Sequence, residues 1–169
     1  MDCPTELVSP SKILQRGAAT VVVPCGEAGE SFGSLFENTR IEASQDPAFL
    51  AAAWRKLCIN AAGVVNALTG KPAGIARDEN AARLMREIVQ ETLVVGRAEG
   101  ADLPDGTPDE VIEIYRGQPE DSVNSLLADR LAGRPMEIDI RNGVIVRLGE
   151  KHGIATPYNA MAVALLKVA

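Results

Sequence analysis

The stretch WRKLCINAAGVVNALTG, from Trp54 to Gly70, decides the fold because it predicts one helix with two unlike faces. At about 100° per residue, one face is an apolar stripe of the kind that packs on a protein core. That stripe consists of Trp54, Leu57, Cys58, Ala61, Val65 and Leu68. The opposite face combines a lysine and an asparagine with small residues. One side of the helix is therefore structural, and the other side needs a separate explanation.

The second face is formed by Lys56, Asn60, Gly63 and Ala67. A lysine and an asparagine one turn apart are a pair of hydrogen-bond donors, and small residues let a partner approach the backbone. This arrangement predicts a site for a small anionic or carbonyl-bearing ligand. The pattern also allows two structural interpretations, in which the face is solvated or another helix packs on its small residues.

The composition is that of a globular protein with one sizeable core, since 46% of the 169 residues are hydrophobic and 24% are charged. The formal net charge of -6 argues against nucleic acid and anionic membranes, which select basic patches. The start, MDCPTELV, lacks the features of a secretory signal, and no apolar run is long enough to span a bilayer. We expect a cytoplasmic protein with neither nucleic acid nor membrane as partner.

The cysteine pattern predicts neither a disulfide framework nor a metal site. Cys3, Cys25 and Cys58 are an odd number of cysteines at unrelated spacings, and His152 is the single histidine of the sequence.

The sequence pattern changes at about Asp46. Before it, GAATVVVPCG (residues 17–26) is typical of a buried strand, and TRIEAS (39–44) alternates like a second, shorter strand. Two strands make only a marginal sheet, and these two have no helices of their own to cover them. We interpret residues 1–45 as the end of a truncated sheet and residues 46–169 as a separate domain.

Helical periodicity and helix start and stop signals run through the second domain. We predict about six helices, over residues 46–70, 78–97, a short segment from Pro108, 119–132, 137–151 and a segment from Pro157. The second should bury a face with Leu84, Ile88, Thr92 and Val95, and Thr107 and Glu110 have the spacing of a capping box at the start of the third. The predicted fold class is α+β, with a mostly α-helical domain preceded by a short β-strand pair.

The segment VVVPCGEAGESFG places glycines after a strand, where a dinucleotide-binding loop would lie. The spacing does not fit, because Ala28 and Ser31 occupy the positions that the fingerprint requires as glycine after Gly26. We predict a turn that leaves an edge strand here, and no phosphate site.

Three separated motifs carry a family resemblance. K-L-x-x-N runs from Lys56 to Asn60, S-x-L-x-D-x-x-x-G-R-x-x-E-I-D from Ser125 to Asp139, and N-G-x-x-x-x-x-G-x-x-H-G-I-x-T-P from Asn142 to Pro157. In this order they resemble the carboxy-terminal domain of ketopantoate reductases (2-dehydropantoate 2-reductases). Residues 12–44 are similar to the last strands of that family's Rossmann-type dinucleotide-binding domain, whose glycine-rich first half this sequence does not contain.

The resemblance implies a helical domain like the carboxy-terminal domain of 6-phosphogluconate dehydrogenase. It also implies a function, the NADPH-dependent reduction of a 2-oxo acid, from ketopantoate to pantoate in pantothenate and coenzyme A biosynthesis. Lys56 matches the family's general acid, and Asn60 and Ser125 match substrate-binding residues. Glu137 matches a catalytic carboxylate that touches the substrate hydroxyl or the nicotinamide ribose region and orients the lysine. We expect these four side chains to converge on one cleft.

Several expectations about partners follow. We do not expect NADPH to bind this chain alone, so the chain by itself should have no reductase activity. Whether it is an enzyme is left open. The small-molecule partner would be a 2-oxo acid. We also expect a homodimer, because a truncated sheet and a long apolar helix leave surface to be covered. The alternatives are a non-catalytic helical domain that dimerises or binds a small acid, and a helical adaptor with no ligand site.

The sequence departs from the family pattern at Val64, where many members have a second asparagine one turn after the first. The nearby Asn66 points about 80° away from the lysine face of a continuous helix. A substrate with fewer polar groups than ketopantoate is therefore compatible with this site. We interpret His152 as structural, and Asp129 with Arg134 as a local ion pair or cap.

Overall fold

The structure, a computed structural model, describes residues 5–15 and 17–168. The chain divides into two compact units between Ala52 and Ala53. Strands lie in the first unit and helices dominate the second, which confirms the α+β class. Cys3 lies outside the described residues, whereas Cys25 is an exposed thiol and Cys58 a buried one.

The first unit contains two small sheets. Strands β1 (Thr5–Ser9) and β2 (Lys12–Gln15) form an antiparallel pair that the sequence analysis did not predict. Strands β3 (Ala19–Pro24) and β4 (Ile41–Asp46) are the two predicted strands, and they pair in parallel.

A helix, α1 (Glu27–Ser34), connects β3 to β4, so the prediction of a bare turn and of strands without a helix of their own was wrong. Parallel neighbours need a crossover connection, and a helix is the usual one. Gly29 explains why the helix can lie so close to the strand, because a Cβ there would be 1.9 Å from the Pro24 carbonyl oxygen.

Helix α2 (Phe49–Ala62) begins in the first unit and continues into the second. The other helices follow in chain order as α3 (Val64–Thr69), α4 (Glu79–Ala98), α5 (Thr107–Arg116), α6 (Ser125–Leu131), α7 (Asn142–His152) and α8 (Pro157–Lys167). Two 3-10 helices, Ala73–Arg77 and Ile138–Ile140, were not predicted as separate elements. Among the described residues, none of these helices is long and apolar enough to cross a membrane.

The core of the second unit is built around α4, which contacts α5, α7 and α8. Ile88, Thr92 and Val95 are buried, as the periodicity of this segment predicts. The buried hydroxyl of Thr92 donates to the Ile88 carbonyl at 2.8 Å, so its polarity is satisfied within the helix.

Local signals predicted several helix ends correctly. Asp78 is the N-cap of α4, where its carboxylate accepts from the backbone N–H groups of Asn80 and Ala81. Gly70 and Gly153 end α3 and α7 in the left-handed conformation, with φ of 68° and 67°.

Two predicted helix starts and one predicted cap were wrong, whereas α5 begins within one residue of the predicted Pro108. Residues 119–124 are not helical, since the carbonyls of Glu120 and Ser122 accept from Gly74 and Ala73 at 2.9 Å. Thr107 forms no capping box, because its hydroxyl donates to the Pro104 carbonyl. The segment that begins at Glu137 forms a 3-10 turn, and α7 begins only at Asn142.

The single helix predicted up to Gly70 is interrupted at Gly63. The Tyr115 hydroxyl donates to the Ile59 carbonyl at 3.0 Å, and the Asn124 amide donates to the Gly63 carbonyl at 3.0 Å. A Cβ at position 63 would lie 2.6 Å from the Tyr115 oxygen and 2.9 Å from Asn124 Nδ2. Glycine is therefore required for two side chains to reach the carbonyls at this break.

We predict that Gly63→Ala destabilises the second unit by roughly 1 to 3 kcal/mol, since overpacking forces neighbouring groups apart. Urea unfolding measures the change. The control is the same substitution in a Tyr115→Phe background, which lacks the closest clashing atom. Gly63→Ala should lower the free energy of unfolding by less in the Tyr115→Phe background than in the wild type. An equal loss in both backgrounds would contradict this account of the break.

Candidate functional site

The polar face that begins on α2 has two halves with different surroundings, and its second half lies at Gly63 and on α3. Lys56 is exposed and Asn60 is half-buried, so the first half is open to solvent. Gly63 and Ala67 are buried, and the Ala67 carbonyl accepts a hydrogen bond from Arg130. The ligand-face interpretation stays a prediction for the first half, whereas packing on small residues describes the second half.

The opposite face of α2 lies in the core, as its apolar stripe predicts. Trp54, Cys58 and Ala61 are buried there. Burial raises the pKa of the Cys58 thiol to about 12, so it is a neutral core side chain rather than a nucleophile.

Ser125 is the first residue of α6, and Asn124 precedes it as the N-cap. Asn124 Oδ1 accepts from the Leu127 backbone N–H at 2.9 Å. Its amide nitrogen donates to Gly63 and also to Asn66 Oδ1, at 3.1 Å. One asparagine thus starts α6 and holds that start against the end of α2, which fixes the position of Ser125.

Ser125 and Glu137 are brought together by a residue that the sequence analysis did not single out, Arg141. Its Nη2 donates to the Ser125 hydroxyl oxygen at 2.8 Å and lies 3.7 Å from Glu137 Oε2. The Arg141 side chain is only 13% exposed, whereas that of Glu137 is 62% exposed. The sequence signal that could have identified Arg141 is a cation directly before the N-G pair of the third motif.

Tyr115 connects this cluster to α2. It is buried, and it carries the hydroxyl that binds the Ile59 carbonyl next to Asn60. Burial raises the pKa of Tyr115 to about 12, against smaller opposing effects of Arg141 and Asn124. Tyr115 is therefore neutral at physiological pH, and it adds no charge beside the guanidinium.

Val64, which stands where many family members have a second asparagine, and the nearby Asn66 offer no polar group to a ligand. Val64 is fully buried, so it does not line an open site. Asn66 is also buried, and its amide donates to the Lys71 carbonyl at 3.0 Å while its oxygen accepts from Asn124. Asn66 is a structural polar residue.

A second buried polar network fixes α7 and α8. Asn142 donates to the Ala61 carbonyl at 3.2 Å and to Asn159 Oδ1 at 2.9 Å. The Glu91 carboxylate accepts from the backbone N–H groups of Tyr158 and Asn159, and so caps α8 from another helix. The Asn of the N-G motif thus ties α2 to α8 within the core.

The residues interpreted as structural have local roles. Arg134 and Asp129 form an ion pair at 2.8 Å, which confirms the predicted pair. His152 and Lys151 both bind Glu99, and the pKa of Glu99 is lowered first by Lys151 and then by His152. Within residues 5–15 and 17–168, no group of three potential metal-ligating side chains forms a cluster.

The structure therefore joins Ser125 to Glu137 through Arg141, and joins the start of α6 to the end of α2 near Asn60. Lys56 lies one turn before Asn60 on the same helix. That Lys56 and Glu137 face the same cleft stays a prediction.

Comparisons with known proteins match most of the chain. Residues 48–169 match the family model described as Ketopantoate reductase PanE/ApbA C terminal. A 2-dehydropantoate 2-reductase of Caulobacter vibrioides is 57% identical over 169 residues, which are 100% of this chain and 58% of that relative. The chain thus spans less than two thirds of the length of this curated relative.

Two solved structures have a similar fold. A PanE/ApbA family ketopantoate reductase from Ralstonia eutropha JMP134 is 31% identical with a TM-score of 0.82, over 99% of this chain and 56% of that one. A dimeric ketopantoate reductase from Staphylococcus aureus is 22% identical with a TM-score of 0.85, over 92% of this chain and 55% of that one. The second likeness bears on the fold alone.

We predict that Tyr115 makes the stability fall at alkaline pH. Its pKa is about 12 in the folded chain and about 10 in an unfolded one. Between these values the unfolded tyrosine loses its proton while the folded one keeps it, so rising pH favours unfolding by about 1.4 kcal/mol per unit.

Urea unfolding at pH 8 and pH 11 measures this loss, with Tyr115→Phe as the reference because it cannot ionise. Between pH 8 and pH 11, the free energy of unfolding of the wild type should fall by about 1.4 kcal/mol more than that of Tyr115→Phe. Equal losses would mean that Tyr115 is not held neutral by burial.

Proposed function

This chain belongs to the ketopantoate reductase family, and we propose that its residues 46–169 are the substrate-binding and proton-donating part of an NADPH-dependent 2-oxo acid reductase. The reaction would convert ketopantoate to pantoate, in the cytoplasm. The observation that carries the proposal is the open half of the α2 polar face, where exposed Lys56 stands one turn from half-buried Asn60.

Lys56 would act as the general acid. Hydride addition to the ketone of a 2-oxo acid turns its oxygen into an alkoxide, which needs a nearby cation and then a proton. An exposed ammonium can supply both and can regain its proton from solvent. Asn60 would donate to a substrate oxygen from the same helix face.

Ser125 and Glu137 would complete the substrate site. The Ser125 hydroxyl, held at the start of α6, can bind the polar end of the substrate. Glu137 is mostly exposed, so its carboxylate can accept from a substrate hydroxyl and orient the lysine. Their common contact with Arg141 supports placing both at one site.

NADPH supplies the hydride in this proposal, but the described residues do not fit its pyrophosphate. The helix start after β3 is the nearest candidate, and its Gly26 N–H already donates to Gln45 Oε1 at 3.2 Å. Ala28 and Ser31 also break the glycine spacing of a dinucleotide loop. We infer that residues 1–45 are the end of a dinucleotide-binding domain whose phosphate-binding part corresponds to the portion of the longer relatives that this chain does not match.

A second candidate role is self-association, as a dimerising helical domain. Helix α8 exposes Tyr158, Met161 and Leu165, which lie along one face at helical spacing. An apolar stripe of this kind favours contact with another protein surface. We propose a homodimer on the basis of this exposed stripe, and the Staphylococcus aureus neighbour is itself described as dimeric.

We predict that this chain, joined to the amino-terminal part of the Caulobacter vibrioides relative, oxidises NADPH in the presence of ketopantoate. Lys56→Ala should reduce kcat/KM by on the order of 10² or more, since it removes the acid. Lys56→Arg should also be poorly active, because a guanidinium keeps the charge but holds its proton too tightly to donate it.

Lys71→Ala is the matched control, because Lys71 is an exposed lysine beyond the end of α3. Its activity should equal that of the wild type. The chain without the fused domain should show no activity, since positioning of the hydride donor is worth roughly 7 to 11 kcal/mol of the barrier. A fully active Lys56→Ala fusion would refute the role of this lysine.

We predict a dimer in sedimentation equilibrium at high micromolar concentration. Leu165→Glu should shift the chain toward monomer, because it places a charge in the apolar stripe of α8. Leu131→Glu, at another exposed leucine at the end of α6, is the control and should leave the mass unchanged. A wild-type monomer at that concentration would count against self-association.

A further inference from the structure

The guanidinium of Arg141 is largely enclosed beside the proposed site, and the reaction described above assigns it no role. We propose that Arg141 is a specificity-determining residue, whose guanidinium binds the carboxylate of the 2-oxo acid together with the Ser125 hydroxyl. This inference rests on the proposed function, because it takes the substrate to be a 2-oxo acid.

The donor capacity of Arg141 exceeds what the protein uses. A guanidinium has five N–H donors in a planar fork that matches a carboxylate in two parallel hydrogen bonds. Within the described part of the chain, its hydrogen-bonding and ion-pairing partners are the Ser125 hydroxyl at 2.8 Å and the Glu137 carboxylate at 3.7 Å. Donors therefore remain for a ligand.

The hydrogen bond from Arg141 also affects what the Ser125 hydroxyl can do. Because its oxygen accepts from Arg141, its own O–H proton is available to donate elsewhere. Ser125 is exposed at the start of α6, so that proton can reach a bound molecule. A ligand carboxylate at this point would accept from the hydroxyl and from the guanidinium together.

The local charge balance also favours an anion. Burying a cation is unfavourable unless it is paired, and Arg141 is 13% exposed. Among the residues that the structure describes, its acidic partner is Glu137, which is mostly solvated and lies beyond hydrogen-bond distance. Tyr115 and Asn124, which hold the adjoining end of α2, are neutral. The carboxylate of a substrate would supply the missing negative charge.

Arg141 also accounts for the departure at Val64. Val64 is the first residue of α3 and is buried in the core, so the segment that follows α2 offers the ligand no second amide. The polar contact would come instead from Arg141, directly before α7, which also donates to the Ser125 hydroxyl oxygen. At this site the charge of Arg141, rather than a second asparagine amide, would select the substrate.

The test uses the fused protein with Arg141→Met, which keeps most of the length of the side chain and removes the charge. KM for ketopantoate should rise about 10- to 100-fold, the usual effect of losing hydrogen bonds to a charged group. The kcat should stay within about threefold of the wild type, since Lys56 is untouched. Arg134→Met is the control, because Arg134 pairs with Asp129, and its KM should be unchanged.

Arg141→Lys keeps the charge and loses the fork, so it should raise KM less than Arg141→Met, and it decides the question if Arg141→Met does not fold. An unchanged KM in a folded Arg141 variant, or an equal rise in Arg134→Met, would overturn this inference while leaving the proposed function in place. A wild-type fusion that reduces no 2-oxo acid would overturn the proposed function, and the ligand assigned to Arg141 with it.

Discussion

The close approach of two side chains to the backbone at Gly63 is the constraint on which the rest of the candidate site depends. Buried carbonyls at a helix break need hydrogen-bond donors, and Tyr115 and Asn124 supply them. Asn124 is also the N-cap of α6, so the same contact sets where that helix begins. Ser125 follows directly, and Arg141 and Glu137 are placed around it. A side chain at position 63 would disturb this whole sequence of contacts.

The break also divides one helix between structure and function. Its carboxyl half is enclosed by Tyr115, Asn124 and Arg130, and contributes to stability. Its amino half is open to solvent at Lys56 and Asn60, where the proposed function places the substrate. Tyr115 and Asn124 anchor the carboxyl half with neutral groups and Arg130 with a cation, whereas Lys56 is exposed and Asn60 is half-buried. A rigid support for a small set of reactive groups is what a proton-donating site requires.

The sequence predicted helix ends and buried helix faces well, because these depend on residues that are close together along the chain. Asp78 caps α4 through its own backbone neighbours, and Gly70 and Gly153 adopt a conformation that glycine favours. The apolar stripe of α2 was likewise readable, because burial follows helical periodicity. The motifs that carry the family resemblance also lie on segments that the comparisons matched.

The features that sequence missed depend on partners distant along the chain. The segment at residues 119–124 has a helical pattern, yet its carbonyls bind Ala73 and Gly74 instead. Helix α1 was missed because a glycine-rich segment reads as a turn unless the strand against Gly29 is known. Arg141 lies between two motifs and holds no motif position, and its contacts with Ser125 and Glu137 are what bring it to the candidate site.

The most direct measurement of the central claim is a crystal structure of the fused protein with bound pantoate. The account predicts that the pantoate hydroxyl lies within hydrogen-bond distance of Lys56 Nζ, with Asn60, Ser125 and Glu137 around the same molecule. It would be contradicted by a structure in which Lys56 and Glu137 lie on opposite surfaces, or in which pantoate binds away from the open half of α2.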